Sequence, residues 1–238
     1  MTGLPAMATV LFTDLVGSTA LRVALGVERA DELRRVHDQL LGERVLAQDG
    51  RVVKGGGDGL LATFTSASAA LTATVEMQQA IAAYNRRKDR IAALSVRIGL
   101  SAGDVLWEDG DCFGTPVVEA ARLEAYPDGA QILCSDLVRL MALGMLAFTT
   151  GDLGRADDHL QAARSQCEAM GALTYEAHTR YWSARVSAAR GDALSARLEA
   201  SKAFELASQI GMTALTGRLT ASGLVDVPAA PERGALPR

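Results

Sequence analysis

This chain lacks most of the residues that would hold a small extracellular or metal-built fold together. Its cysteines are three, Cys112, Cys134 and Cys167, an odd and widely scattered set. That excludes a disulfide scaffold and a cysteine zinc site, and it suits a reducing compartment. Aromatic residues make up only 5% of the chain, so with alanine abundant the composition leans towards closely packed helices. Neither sign of charge dominates: the net charge is −4, with acids and bases interspersed, which offers nothing to nucleic acid or to an anionic membrane surface. Long apolar runs are also missing. The opening stretch "MATVLF" meets Asp14 almost at once and has no basic segment before it, so neither a secretion signal nor a bilayer span is expected. Neither Gly-Lys-Ser/Thr at Walker spacing nor GxGxxG occurs, which removes the ordinary nucleotide-binding loops. A cytoplasmic protein with no nucleic-acid and no membrane partner is expected.

What is present is enough apolar residue for a real core, 49% of 238, so disorder is not the default. The first half alternates strand-like and helix-like patterns. "ATVLFTD" (8–14) reads as a buried strand that ends at a carboxylate, and 26–50 as a helix carrying Leu33, Val36, Leu40 and Val45 on its apolar side. "RVVK" and "LLATF" are short strands joined by "GGGDG", and 67–87 is a second helix with Ala70, Ala73, Met77, Ile81 and Tyr84 in one stripe. "LSVRIGLSAGDVLWE" (94–108) reads as a strand pair turning at Gly103-Asp104. A short helix over 115–126, with a proline near its start, and a strand at 130–135 follow. Strands separated by helices, with hairpins mixed in, predict an α+β sandwich on one sheet.

Beyond about residue 138 strand signals stop and alanine-rich helical periodicity takes over. "GDLGRADDHLQAARSQCEAMG" (151–171) and "GDALSARLEASKAFELASQIG" (191–211) align without a gap, matching Gly151 with Gly191, Asp152 with Asp192, Ala156 with Ala196, Ala163 with Ala203 and Gly171 with Gly211. A repeat with small residues at fixed helical positions predicts stacked helical hairpins of a tetratricopeptide-like kind; two ordinary amphipathic helices with coincident alanines are the plainer alternative. The expected division is 1–138, an α+β domain; 139–222, helical repeats; and 223–238, a proline-rich flexible tail.

Asp14 closes a buried strand before the small-residue turn "LVGST", and Asp58 sits at the tip of a hairpin. If those strands are neighbours, two carboxylates converge at one end of a sheet, where they can hold divalent cations around a triphosphate. Taken singly, each aspartate is a turn residue or a helix cap. His37, His159 and His178 have no partner at ligand spacing and read as helix positions, while Trp107 and Trp182 read as packing residues. Arg97 lies on a strand, where it could pair with a carboxylate structurally, and receives no catalytic role.

In order, "VLFTDLVGST", "VVKGGGDGLLATF", "VRIGLSAGDV" and "DCFGTPVVEAARLEAYPDGAQILCS" resemble a class III adenylate/guanylate cyclase catalytic domain over roughly residues 7–136. The resemblance implies a ferredoxin-like cyclase sheet with flanking helices, here followed by the all-α hairpin segment. It also implies conversion of ATP to 3′,5′-cyclic AMP and pyrophosphate, with two Mg²⁺ or Mn²⁺ ions per site. Asp14, Asp58 and the backbone carbonyl of Leu15 match its metal ligands, and Val16, Gly17 and Ser18 its phosphate-contacting turn. Lys54 and Asp111 match the lysine and acid that read the donor and acceptor edge of adenine, and Arg122 the arginine that stabilises the transition state. The site is shared between two subunits, so a homodimer is implied; the repeats offer a surface for a protein partner.

Two departures from the family stand out. Four residues before Arg122 the family's ribose-orienting asparagine is Val118 here, with Glu119 on another helical face, and the family's terminal strand pair with its basic residue is shortened or replaced after "SDLVRLM". These support a second reading, a catalytically weak or inactive nucleotide-sensing module with a repeat scaffold. The composite resembles large bacterial regulators that place an ATPase between such parts, and this chain looks like a contracted version without it.

Overall fold

The apolar run that ends at Asp14 forms the middle of a sheet. In the computed structural model, which describes residues 6–225 except 56, 88 and 127, β1 (Ala6–Leu15) pairs antiparallel on one side with β3 (Gly59–Phe64) and on the other with β4 (Val96–Glu108). β2 (Arg51–Gly55) flanks β3, β5 (Asp111–Phe113) forms a hairpin with β4, and β6 (Ile132–Cys134) runs parallel to β4. The order is β2-β3-β1-β4-β5 with β6 beside β4. Successive residues of a strand point to opposite faces, and the core divides accordingly. Leu11, Leu60 and Ala62 face one apolar cluster, and Val10 and Leu61 the other.

The first cluster is covered by α2 (Val27–Ala47), reached through the short α1 (Ser18–Leu25), by α3 (Ala67–Asn85), and by α5 (Asp136–Thr149). All five residues expected on the α3 stripe are buried. On α2 the buried line is Leu33, His37, Leu41 and Val45, a strict four-residue spacing, whereas the expected Val36 and Leu40 are only half-buried at its edge. The second cluster is covered by α4 (Thr115–Ala125), through Ala120, and by the distal part of the β4–β5 hairpin, through Cys112.

The expected turn at Gly103-Asp104 is corrected. β4 runs unbroken through both residues, with Gly103 opposite Ala8 and Asp104 opposite Met7, and the chain reverses at Asp109 and Gly110. Gly103 serves a close approach rather than a turn: a Cβ there would stand 2.7 Å from the ring of Pro116 at the start of α4.

Beyond β6 the described chain is helical, with α6 (Leu153–Met170), α7 (Leu173–Ala189), α8 (Ala193–Gln209) and α9 (Thr213–Ala221). The two aligned segments take equivalent places. Asp152 accepts from the Arg155 amide at 3.1 Å and Asp192 from the Ser195 amide at 3.0 Å, so each helix starts on an aspartate cap. Ala156, Leu160, Ala163 and Cys167 are the buried stripe of α6, and Ala196, Ala200, Ala203 and Ala207 that of α8. Residue 138 lies inside α5, whose Leu137, Val138, Leu140 and Met141 join the sheet's own core. Ala163, Cys167 and Tyr175 from α6 and α7 belong to the same cluster, and the Tyr175 hydroxyl shares a 2.5 Å hydrogen bond with Thr9 of β1. Most of the expected tail, residues 226–238, lies outside the described residues. No described helix is long and apolar enough to cross a membrane.

Candidate active site

The antiparallel register sets Asp14 opposite Gly59 on β3 and opposite Arg97 on β4. Asp58 therefore stands immediately beside the end of β1, and its carbonyl accepts from the Leu15 amide at 2.7 Å. The chain then turns through Val16, whose amide donates to the Ser95 carbonyl at 2.9 Å, and Gly17, at φ 71°, into the first residue of α1. Ser18 Oγ donates to Asp58 Oδ2 at 2.9 Å. Two carboxylates and a small-residue turn thus meet at one end of the sheet. Beside them Leu15, Ser18, Arg22, Arg34, Gly57 and Asp58 help to line a cavity of about 470 Å³, a size that suits a small molecule such as a nucleotide.

Two further charged groups sit here: Arg97, expected only to pair structurally with a carboxylate, and Glu124, which the sequence did not single out. Arg97 donates to Asp14 Oδ2, and its Nε lies 3.4 Å from Glu124 Oε1. The Asp14 carboxylate beside it pushes the guanidinium pKa up. Burial pushes the Glu124 carboxyl up, and the negative charges of Asp14 and Asp58 add to the effect while Arg97 opposes it. α4 can lie this close because residue 99 of β4 is glycine: a Cβ there would strike the Ala120 carbonyl and come within 2.5 Å of the Glu124 amide. The pairing of Arg97 with Asp14 was readable in principle from aligning the two strands. Nothing in the sequence signalled Glu124.

The donor set fits a hard divalent cation. Asp14 and Asp58 supply anionic oxygen beside the Leu15 backbone, and Glu124 Oε1 is a buried oxygen with no hydrogen-bond partner among the described residues. No closed group of three or more His, Cys, Asp or Glu ligands forms among the described residues. A cation here would complete its shell with water and substrate oxygens, as Mg²⁺ does when one or two carboxylates share it with phosphates.

Lys54 and Asp111 also come together. The β4–β5 hairpin folds back over the sheet, burying Cys112 against Val10 and Leu61, and this carries β5 across to β2. Lys54 Nζ forms an ion pair with Asp111 Oδ2 and holds that carboxyl below the usual range. Arg51, at the start of β2, stacks 4.5 Å over the ring of Trp107 and secures the same contact. Arg122 is exposed on α4 and makes no ion pair among the described residues. Val118 precedes it by one turn and is 51% exposed. Glu119 faces elsewhere, accepting from the buried Ser101 hydroxyl at 2.7 Å. No described strand follows β6.

Comparison with known proteins gives this geometry its context. The profile of the Adenylate and Guanylate cyclase catalytic domain matches residues 5–156. A Rhizobium meliloti (strain 1021) protein named "Putative adenylate cyclase 3" is 36% identical over 130 residues, 55% of this chain and 22% of that protein. The chain thus spans about a fifth of the length of that relative. The crystal structure of an adenylate/guanylate cyclase/hydrolase from Silicibacter pomeroyi is 34% identical, with TM-score 0.50 over 58% of this chain and 80% of that one. That of the adenylyl cyclase CyaB from P. aeruginosa shares the fold at 23% identity, with TM-score 0.52 over 58% of this chain and 80% of the other. Over its mixed sheet and flanking helices, this chain belongs to the adenylate and guanylate cyclase catalytic domain family.

Proposed function

We propose that the protein is an adenylate cyclase, which converts ATP to 3′,5′-cyclic AMP and pyrophosphate at a homodimer interface. The observation that carries the reading is the side-by-side placement of Asp14 and Asp58 at the sheet end, next to the Ser18 turn. In the reaction the ribose 3′-oxygen bonds to the α-phosphorus, the bond to the bridging oxygen of the β-phosphate breaks, and the 3′-hydroxyl proton is released. Asp14, Asp58 and the Leu15 carbonyl would hold two Mg²⁺ or Mn²⁺ ions, which when bound would supply acidity to the 3′-hydroxyl and neutralise triphosphate charge. In the turn Val16, Gly17 and Ser18 the Val16 amide is committed to the Ser95 carbonyl, so the Gly17 and Ser18 amides are the ones from which phosphate oxygens accept.

Lys54 and Asp111 read the base. A lysine donates to adenine N1 and a carboxylate accepts from the exocyclic amine, whereas guanine presents the reverse pattern. Their ion pair in the free protein favours the ionised Asp111 carboxylate and holds the two side chains together for that task. Arg122, exposed and without an ion-pair partner among the described residues, supplies positive charge to the pentavalent transition state. Val118, one turn before Arg122, and the cross-strand pair Leu106 and Phe113 are exposed, apolar side chains that a second copy of the chain would cover. One protomer contributes Asp14 and Asp58, and its partner Lys54, Asp111 and Arg122.

Residues 139–222, which contain helices α6–α9, act as tetratricopeptide-like repeats and a scaffold for a protein partner; the matched caps and buried stripes support this. A cytoplasmic setting follows from ATP as substrate and agrees with the three free cysteines.

Mixing two inactive variants tests the shared site. Asp58→Ala and Arg122→Ala are each inactive alone, yet in equal mixture they form heterodimers with one intact site, and about a quarter of wild-type activity returns. A mixture as inactive as its components would overturn the shared arrangement. Val118 and the lack of a described strand after β6 favour the second reading, a nucleotide sensor with little or no turnover.

A further inference from the structure

A second cavity, of about 600 Å³, lies between the sheet-bearing half and the helical hairpins. It shares no lining residue with the cavity beside Asp58. Its floor on one side is the start of α3, at Ser66 and Ser68, together with Asp49 in the turn before β2. On the other side are His178 and Trp182 of α7 and the start of α9 around Thr213, with Arg218 one turn further on.

Several features point to an anionic occupant. His178 is 6% exposed, yet its imidazole lines the cavity and has no hydrogen-bond partner among the described residues. Its ring nitrogens are not among the fully buried unpaired atoms of the described residues, so they open on the cavity, where a ligand can pair with them. Arg218 lines the same cavity and makes no ion pair among the described residues. α9 begins at Met212 without a side-chain cap; the Thr213 and Leu215 amides are taken by the Gly211 and Met212 carbonyls, which leaves the Ala214 amide to donate, and the partial positive charge of the helix start adds to the field of Arg218. α3 opens on the same space through Ser66 and Ser68. Asp49 supplies a carboxylate at the wall, which disfavours a polyanion and selects a small ligand whose acidic group meets Arg218 and His178.

We propose that this cavity is a binding site for a small anionic metabolite, its carboxylate or phosphate held by Arg218, His178 and the start of α9. An occupant would tie the helical hairpins to the β2–β3 hairpin, since Asp49 stands two residues before β2 and Ser66 two residues after β3. That hairpin carries Lys54 and Asp58, so the ligand would be a natural effector of the site at its far end.

The cavity holds its own reporter. The chain has two tryptophans, and Trp107→Phe leaves Trp182 in the cavity wall as the sole tryptophan, excited selectively over the tyrosines. Full-length protein in this background is titrated with inorganic phosphate and, separately, with succinate at constant ionic strength. A saturable change in Trp182 emission with one of them is expected, and the response identifies whether phosphate or carboxylate is the recognised group. In Arg218→Gln the apparent dissociation constant should rise by at least about tenfold. Arg218 is exposed, so this variant keeps the fold, which circular dichroism verifies. No saturable response to either probe, or the same affinity in Arg218→Gln, overturns the proposal. The readout is binding alone, so it stands or falls independently of cyclase turnover.

Discussion

Arg97 of β4 holds the carboxylate of Asp14 at the end of the neighbouring β1. The first acid of the candidate centre is therefore neutralised by the protein's own guanidinium, and the same guanidinium lies against Glu124. Three carboxylates and one arginine occupy a space where like charges would otherwise repel. The guanidinium offsets part of that repulsion and opposes the upward push of burial on the Glu124 carboxyl, so the acids stand close together where a cation could meet them.

Base recognition rests on the Lys54–Asp111 pair, and it can be separated from cation binding. Lys54→Met should let the Asp111 carboxyl titrate at a higher pH, nearer the ordinary range, because the ammonium that holds it down is gone. Carbon-detected NMR of the aspartate carboxyls reads this directly. The same variant should lose preference between ATP and GTP in turnover while keeping its affinity for Mn²⁺.

Val118 is exposed one turn before Arg122, so a polar replacement has room. Val118→Asn should raise the cyclisation rate by about tenfold or more, the usual worth of one transition-state hydrogen bond. An unchanged rate would show that the ribose is oriented without this position.

The helices are fastened to the sheet through Thr9 and Tyr175. Tyr175→Phe removes one buried hydrogen bond and should cost about 1–2 kcal/mol, measured by urea unfolding. Thr9→Val strands the Tyr175 hydroxyl and should cost at least as much. The double variant should lose less than the sum of the two.

His178 gives stability a pH dependence. Burial, reinforced by Arg218, lowers its pKa from 6.5 to about 4. Between those values the unfolded chain takes up a proton that the folded chain refuses, so stability falls as pH drops from 6.5 towards 4. The loss from this group is on the order of 3 kcal/mol. His178→Gln should flatten that part of the stability profile relative to the wild type.

Much of this was legible in the sequence because the signals are local. Asp14 closing an apolar run and Asp58 at a hairpin tip are strand-end features, and antiparallel pairing makes them neighbours. The matching of Asp152 with Asp192 follows from a repeat that needs no tertiary information, and the structure adds that both cap their helices. What escaped depends on contacts between distant segments. Gly103-Asp104 looks like a turn, but Gly103 is spent on the approach of Pro116. His37 and Leu41, rather than Val36 and Leu40, face inward, because the neighbouring sheet and α3 decide which side of α2 is covered. Glu124 becomes part of the site only because Gly99 admits α4 against β4. The extent of the core was also hidden, since composition changes near residue 138 while α5 continues through it.

The most direct measurement is formation of cyclic AMP from ATP by the purified full-length chain with Mn²⁺ or Mg²⁺, compared with Asp58→Ala. The account predicts metal-dependent product from the wild type and a loss of at least about a hundredfold in the variant. ATP that binds without turnover in either metal, or product that persists in Asp58→Ala, would contradict it.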